Sequence, residues 1–309
     1  MALDLVFCGT PNFAVPTMER VAKSFNLRLV VTQPDRPKGR KLELVASPVK
    51  IAAEKLSLPI YQPEKIKHNE ELKSRLAAIQ PDAIIVVGYG RIIPTWMLQL
   101  PRLGNINLHA SLLPKYRGAA PIQWAISNGE AVTGVSTMRI DEGLDTGDVL
   151  LQKELAITDQ DTSETLSPRL AAIGAELVIE TLEGRIAGTL APAKQDNDHA
   201  TLAPILKKED GRIDFNLSAQ EIYNRFRGFQ PWPGAFTTFR GKTLNVTAMK
   251  VSSERGAPAE ISVMDGHIFA GCVDQGSIEL LEVQPEGKKR ISALDFIHGY
   301  HPVAGEKLV

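Results

Sequence analysis

Two polar residues standing two apart in an otherwise apolar run, Asn107 and His109, are the first candidates for chemistry in this chain. They alternate with Ile106 and Leu108 in the stretch Gly104-Asn105-Ile106-Asn107-Leu108-His109-Ala110-Ser111. On a β-strand, residues two apart project from one face, so an amide donor and an imidazole would stand side by side. The strand runs into the loop Ser111-Leu112-Leu113-Pro114-Lys115-Tyr116-Arg117-Gly118, and open α/β sheets place their ligands at such strand ends. Taken singly, Asn107 reads as a residue satisfying backbone groups and His109 as an ordinary half-buried histidine. As a pair ahead of that loop, they form a candidate site.

A second candidate is Asp141-Glu142-Gly143-Leu144-Asp145-Thr146-Gly147-Asp148, four carboxylates and two glycines between strand-like runs. It fails the spacing of a calcium-binding EF-hand loop, because Gly143 and Thr146 occupy positions that need a ligand and a glycine. For Asp141, Glu142 and Asp148 a solvated acidic turn is the preferred reading. Gly88-Tyr89-Gly90 could open a dinucleotide fingerprint, but the third glycine position holds Ile93. From Ala83 to Gly129 there is no Asp or Glu to bind a ribose hydroxyl, which argues against a nicotinamide dehydrogenase. The same acid-free stretch carries Arg91, Arg102, Lys115 and Arg117, and reads equally as an anion-attracting rim or as an apolar segment with a few basic loop residues.

These residues need a scaffold, and the hydrophobic pattern supplies one. Short apolar runs at Leu3 to Phe7, Leu27 to Val31, Ala83 to Val87, Ile106 to Leu108 and Val135 to Met138 alternate with helical patterns at Val15 to Ser24, Val49 to Ser57, Asn69 to Ile79 and Ile122 to Asn128. That alternation predicts an α/β domain with a parallel-rich sheet, and the continuous apolar strands predict cover on both faces. Leu166, Leu170, Ile173 and Leu177 follow helical spacing, with Pro168 pointing to a helix that starts or restarts at Ser167. Ala187 to Pro204 shows no periodicity and reads as a linker. Beyond it, short strands at Thr243 to Val251, Glu260 to Val263, His267 to Cys272 and Ser277 to Val283, split by turn signals, predict a small OB-like β-barrel. The expected division is 1–187, a linker over 188–206, and 207–309.

With 309 residues, 43% of them hydrophobic, the chain can bury two cores. Thirty-five basic against thirty-six acidic side chains exclude a globally basic nucleic-acid binder, so any RNA contact must be local. A non-catalytic RNA-binding module in the C-terminal part gains little support, since Lys207 to Val309 carries 13 basic and 13 acidic residues. Cys8 and Cys272 suit neither a disulfide framework nor a zinc site, so no metal is expected. The acidic start Met1-Ala2-Leu3-Asp4 is unlike a signal peptide, and the apolar run at Ala83 to Val87 is too short for a bilayer. A monomer in the cytoplasm, without membrane contact, is the expectation.

The chain resembles the methionyl-tRNA formyltransferase family, within the folate-dependent formyltransferase superfamily, over nearly its whole length. The residues that carry the resemblance are Gly9-Thr10-Pro11-Asn12-Phe13-Ala14, Gln33-Pro34-Asp35-Arg36-Pro37, Asn107 through Pro114, Arg117-Gly118-Ala119-Ala120-Pro121-Ile122-Gln123, Gly143 through Asp148, and Pro231-Trp232-Pro233. The resemblance implies a catalytic trio of Asn107, His109 and Asp145. It also implies a tetrahydrofolate site lined by Ser111, Leu112, Leu113 and Pro114, and the backbone around Gly88, Tyr89 and Gly90 is expected to help enclose the folate. The implied substrates are 10-formyltetrahydrofolate and the amine of initiator methionyl-tRNA. Glycinamide ribonucleotide or an amino sugar nucleotide is the alternative acceptor, because the superfamily shares the trio. A basic segment, Arg36-Pro37-Lys38-Gly39-Arg40-Lys41, is expected to be a mobile loop that grips tRNA through Arg36, Lys38, Arg40 and Lys41. Lys41-Leu42-Glu43 departs from the second glycine and paired lysines common in the family, which weakens that positive patch.

The residue types suit the reaction. An α-amino group has a reference pKa of about 7.7 to 8.0, so its neutral form is available near neutrality. Attack on a formyl carbon creates an oxyanion and a cationic nitrogen. An Asn amide is a donor that cannot titrate, and one such donor contributes about 10²–10³ in rate. A histidine and a carboxylate can orient and carry the proton.

Overall fold

The computed structural model describes residues 3–38 and 43–309. The chain separates into two compact units, Met1–Pro121 with Val132–Ala156 and Ser167–Ala203, and Ile122–Ala131 with Ile157–Leu166 and Pro204–Val309.

The first unit holds strands β1 (Asp4–Gly9), β2 (Asn26–Val31), β3 (Arg36–Lys38), β4 (Glu43–Val45), β5 (Ile60–Tyr61), β6 (Ala83–Val87), β7 (Asn105–His109), β8 (Arg117–Gly118), β9 (Val132–Arg139), β10 (Val149–Ala156) and β11 (Leu202–Ala203). Seven of them form one sheet in the order β10-β9-β7-β6-β1-β2-β5. The strands from β7 to β5 run parallel, while β9 and β10 are antiparallel to their neighbours. This is the expected parallel-rich α/β sheet. Apart from Asp4, every residue of β1 and β6 is buried, as continuous apolar strands require. On one face Val6, Cys8, Leu29, Val31, Ile84 and Val86 meet helical Leu72, Leu76 and Met97.

The helices of this unit are α1 (Val15–Ser24), α2 (Pro48–Lys55), α3 (Glu70–Ile79) and α4 (Thr95–Leu98), while α5 (Pro121–Ser127) falls almost wholly in the second unit and α6 (Ser163–Ala187) has all but its first four residues in the first. Their starts are chemically marked. The Ser47 side chain accepts the Lys50 amide ahead of Pro48, and Asn69 accepts the Leu72 amide at 2.7 Å. Helix α6 begins at Ser163 and runs on through Pro168 without a break. That proline removes the one bond to the Glu164 carbonyl, a loss that a 25-residue helix outlasts. Gly174 lets α6 close on β7, since a Cβ there would stand 2.6 Å from Leu108.

Strands β2 and β5 extend the sheet on one side of β1, after which the chain returns to lay β6 and β7 on the other. The order reverses between β1 and β6, and sheets of this kind bind ligands beyond the carboxyl ends of the strands at such a point. Gly9 ends β1, Gly88 to Gly90 follow β6 and Ala110-Ser111 follow the adjacent β7, so the topology alone gathers the candidate loops.

The second unit adds α7 (Ala219–Gly228), β12 (Ala235–Phe239), β13 (Lys242–Ser252), β14 (Ile261–Met264), β15 (His267–Gly271), β16 (Ser277–Pro285), β17 (Ile291–Ser292) and α8 (Ala293–Tyr300). Its antiparallel sheet runs β12-β13-β16-β15-β14, with β17 beside β16. This is the expected small antiparallel β domain, and its sheet does not close into a barrel: β12 and β14 end it without pairing with each other. The last residues occupy both edges instead. Thr238 and Val309 exchange backbone bonds of 2.8 and 3.0 Å, and Ile261 donates to the Glu306 carbonyl at 2.8 Å. Phe296 on α8 meets Phe239 edge-on at 5.3 Å over this sheet. No helix among the described residues is long and apolar enough to cross a membrane.

Candidate functional site

Strand β7 delivers Asn107 and His109 to one face, and β9 pairs with it so that Asn107 lies opposite Met138 and His109 opposite Ser136. The half-buried Asn107 amide makes no hydrogen bond among the described residues, which leaves a donor for a ligand atom. Its neighbour Asn105 has a different task, donating to the carbonyls of Met97 at 3.1 Å and Leu98 at 3.0 Å to tie down the end of α4.

His109 is buried, and its Nε2 lies 2.8 Å from the Tyr116 carbonyl. A carbonyl only accepts, so Nε2 carries the hydrogen. Nδ1 then faces Asp145, whose Oδ2 is 3.7 Å away. The same carboxylate oxygen accepts the Gly118 amide at 2.9 Å. Tyr116 and Gly118, two residues apart, therefore hold both members of the pair.

Asp145 itself sits in the left-handed region with φ +52°. For a residue with a Cβ this costs about 1–3 kcal/mol, the worth of one to three ordinary hydrogen bonds. The surroundings supply them. Besides the Gly118 bond, Gln195 Nε2 donates to the backbone carbonyls of Asp145 at 2.8 Å and Gly147 at 2.7 Å. Gln195 is in turn fixed by the buried Arg117, whose Nε and Nη2 reach Oε1 at 3.0 and 2.8 Å. Arg117 Nη2 also meets Asn197 at 2.9 Å. Asp141 braces the same loop by accepting from the Gly143 amide at 3.0 Å and the Thr146 hydroxyl at 2.8 Å, as an acidic turn would.

The loop after β7 is firmly built. The Ser111 hydroxyl donates to the Lys115 carbonyl at 2.6 Å, so it is committed inside the loop. Ser136 donates to the Ser111 carbonyl at 2.6 Å and accepts the Leu113 amide at 3.0 Å, and Gln152 reaches the Leu113 carbonyl at 2.9 Å. Leu113 is buried, whereas Leu112 and Pro114 stay half-buried. At the end of β6, Gly88 and Gly90 are exposed with φ of +53° and +74°, but the Tyr89 ring is in the core. Its carbonyl accepts Thr10 Oγ1 at 3.3 Å and Gln33 Nε2 at 3.0 Å, linking the loops that follow β1, β2 and β6. Burial pushes the Tyr89 phenol well above its ordinary range, so it serves as a packed side chain.

The structure thus brings Asn107, His109 and Asp145 into one neighbourhood. The basic segment is different. Arg36–Lys38 is a short strand rather than an irregular loop, pairing with Glu43–Val45 as a two-stranded ribbon. Pro37 is tolerated there because a ribbon has free edges that need no N–H. Exposed Arg36 lies 3.8 Å from exposed Glu64, and Arg40 and Lys41 fall outside the described residues. Gln195, Asn197 and the groups of Tyr116 and Gly118 were missed by sequence reasoning. No periodicity marks Gln195, and the backbone contributions of Tyr116 and Gly118 leave no residue-type signal.

Two family models match the chain: formyl transferase over residues 5–182, and formyl transferase, C-terminal domain, over residues 205–301. The methionyl-tRNA formyltransferase of Koribacter versatilis is 61% identical over 305 residues, covering 98% of this chain and 98% of that protein. The methionyl-tRNA formyltransferase of Acidobacterium capsulatum is 59% identical over 96% of each chain. Among solved structures, the N-formyltransferase of Helicobacter canadensis in complex with folinic acid and dTDP-3-aminofucose shares the fold. Its TM-score is 0.67 at 19% identity, over 92% of this chain and 100% of that one. From the matched models and this whole-length identity, the chain belongs to the methionyl-tRNA formyltransferase family.

Proposed function

We propose that this chain transfers the formyl group of 10-formyltetrahydrofolate to the free amino group of methionyl initiator tRNA, the reaction that readies the tRNA for translation initiation. The observation that carries this reading is the 61% identity to a methionyl-tRNA formyltransferase along 98% of both chains, C-terminal part included. The folate supplies the activated formyl group. Asn107 donates its unpartnered amide to the oxygen that gains charge as the amine attacks. His109 and Asp145 take the proton released by the attacking nitrogen and pass one to the departing folate nitrogen, so the pair ends as it began. The loop Ser111 to Pro114, with the Gly88 to Gly90 backbone, encloses the folate. Half-buried Leu112 and Pro114 offer apolar contact there, and the exposed glycines let the ligand approach the main chain.

Arg36, Lys38, Arg40 and Lys41 grip the acceptor end of the tRNA in this proposal. Residues 1–187 form the catalytic domain, 188–206 the link and 207–309 the C-terminal domain of a cytoplasmic monomer. Incubating the purified chain with 10-formyltetrahydrofolate and, separately, charged initiator tRNA, glycinamide ribonucleotide or an amino sugar nucleotide tests the function. Formyl transfer to the tRNA alone is expected, and preferential formylation of either small acceptor overturns the proposal.

A further inference from the structure

We propose that Gln195 is a positioning residue that holds Asp145 at the reacting centre, an inference that rests on the role given to Asp145 above. Both hydrogens of its amide are used on one loop, at the Asp145 carbonyl (2.8 Å) and the Gly147 carbonyl (2.7 Å). Its oxygen accepts two hydrogens from Arg117, at 3.0 and 2.8 Å. The amide therefore has one workable orientation. A 180° flip would set its oxygen against two carbonyls and its NH₂ against a guanidinium.

The circuit closes on itself through consecutive residues. Arg117 holds Gln195, which holds the Asp145 main chain. Gly118, the next residue, gives its amide to the Asp145 carboxylate at 2.9 Å, and Tyr116, the previous one, takes His109 Nε2 at 2.8 Å. Asp145 is thus gripped at backbone and side chain from one short strand, and its left-handed backbone, φ +52°, is where such support is needed. Arg117 is only 7% exposed, and Asn197 anchors it further, so the half-buried Gln195 is held from a buried guanidinium. A reacting group displaced by about 1 Å loses about 10² in rate, so a clamp of this kind acts on turnover.

The test is Gln195→Glu beside Gln195→Leu, with Asp145→Asn as reference and the double variant Asp145→Asn with Gln195→Glu. Glutamate keeps the shape and the Arg117 contact but, ionised, has no hydrogen for the two carbonyls. Leucine loses both. The expected result is a kcat lowered by about tenfold or more in both single variants, with KM for folate and for tRNA held within about twofold. Gln195→Glu should add nothing to the loss already caused by Asp145→Asn, since a positioning residue acts through the group it positions. Turnover within about twofold of wild type in both Gln195 variants, while Asp145→Asn is slow, overturns the proposal alone. A loss confined to KM, losses that multiply in the double variant, or failure of both Gln195 variants to fold also overturns it. Wild-type turnover of Asp145→Asn instead brings down the role of Asp145 itself.

Discussion

His109 and Asp145 meet through Nδ1 and Oδ2 at 3.7 Å, while the other ring nitrogen is already spent on the Tyr116 carbonyl at 2.8 Å. In a neutral ring with its hydrogen on Nε2, Nδ1 presents a lone pair to the carboxylate. In the proposed reaction this pair is where the proton released by the attacking amine is held between steps. The separation exceeds a formed hydrogen bond, and catalytic contacts of this type tighten when substrate binds.

Asn107→Ala, His109→Ala and Asp145→Ala are each expected to lower formyl transfer by roughly 10² or more while leaving a folded protein. Single-turnover formylation of charged tRNA measures this. A folded variant that keeps wild-type turnover places its residue outside the reaction.

For Arg40→Ala, weaker tRNA binding is expected together with a shallower dependence on salt, by about 0.7 to 0.9 in log–log slope for one lost phosphate contact. Folate affinity should not change. Binding titrations across a salt series decide it, and unchanged tRNA affinity at every salt concentration removes Arg40 from the interface.

Gly147 is required by space. A Cβ there would stand 1.8 Å from the Arg139 carbonyl oxygen, which is backbone and has little room to yield. Gly147→Ala is expected to cost about 1–3 kcal/mol in denaturant unfolding and to lower turnover by displacing Asp145. Gly188→Ala is the comparison: with φ +68° and nothing within 4 Å, it should cost about 1–2 kcal/mol and leave turnover intact. Equal activities for the two variants would contradict this.

Glu279 in the second unit gives a pH test. Burial pushes its carboxyl up, but hydrogen bonds from Lys250 at 2.9 Å and His267 at 2.7 Å reverse this and hold it below the ordinary range. A lowered carboxyl contributes stability above the unfolded value of about 4.3 and loses it as pH falls through the folded value. Glu279→Gln is expected to lose about 1–3 kcal/mol at neutral pH. The gap from wild type should narrow in urea melts as pH drops below about 4. A gap independent of pH would show that the charge contributes nothing.

The parallel sheet was legible because β1 and β6 are largely continuous apolar runs of strand length, and a strand buried on both faces has that pattern. Asn107 and His109 were legible for the related reason that two polar residues interrupt such a run at a spacing of two. Asp145 was not distinguishable from three neighbouring acids by type, and the family resemblance marked it out. That the second sheet stays open was not legible, because antiparallel strands with turn signals look alike whether or not their sheet closes. What covers these edges is a tail with no strand pattern, Glu306 to Val309. Gln195 was invisible for a similar reason. It lies in an aperiodic stretch of Ala, Pro, Asp and Asn, and only folding reveals that this stretch returns to Arg117.

The pairing of Leu202–Ala203 with Arg117–Gly118 also bears on biosynthesis. A ribosome that has released Asn107, His109 and Asp145 has made the named chemical groups but not yet the residues that fix them. The Tyr116 amide waits for the Thr201 hydroxyl, at 2.8 Å, and Arg117 waits for Gln195 and Asn197. Contacts across about 80 positions form late and slowly relative to local ones. The nascent sheet can therefore be in place before these contacts form, and a chain halted before residue 195 would carry Asn107, His109 and Asp145 without the Gln195 contacts to the Asp145 loop.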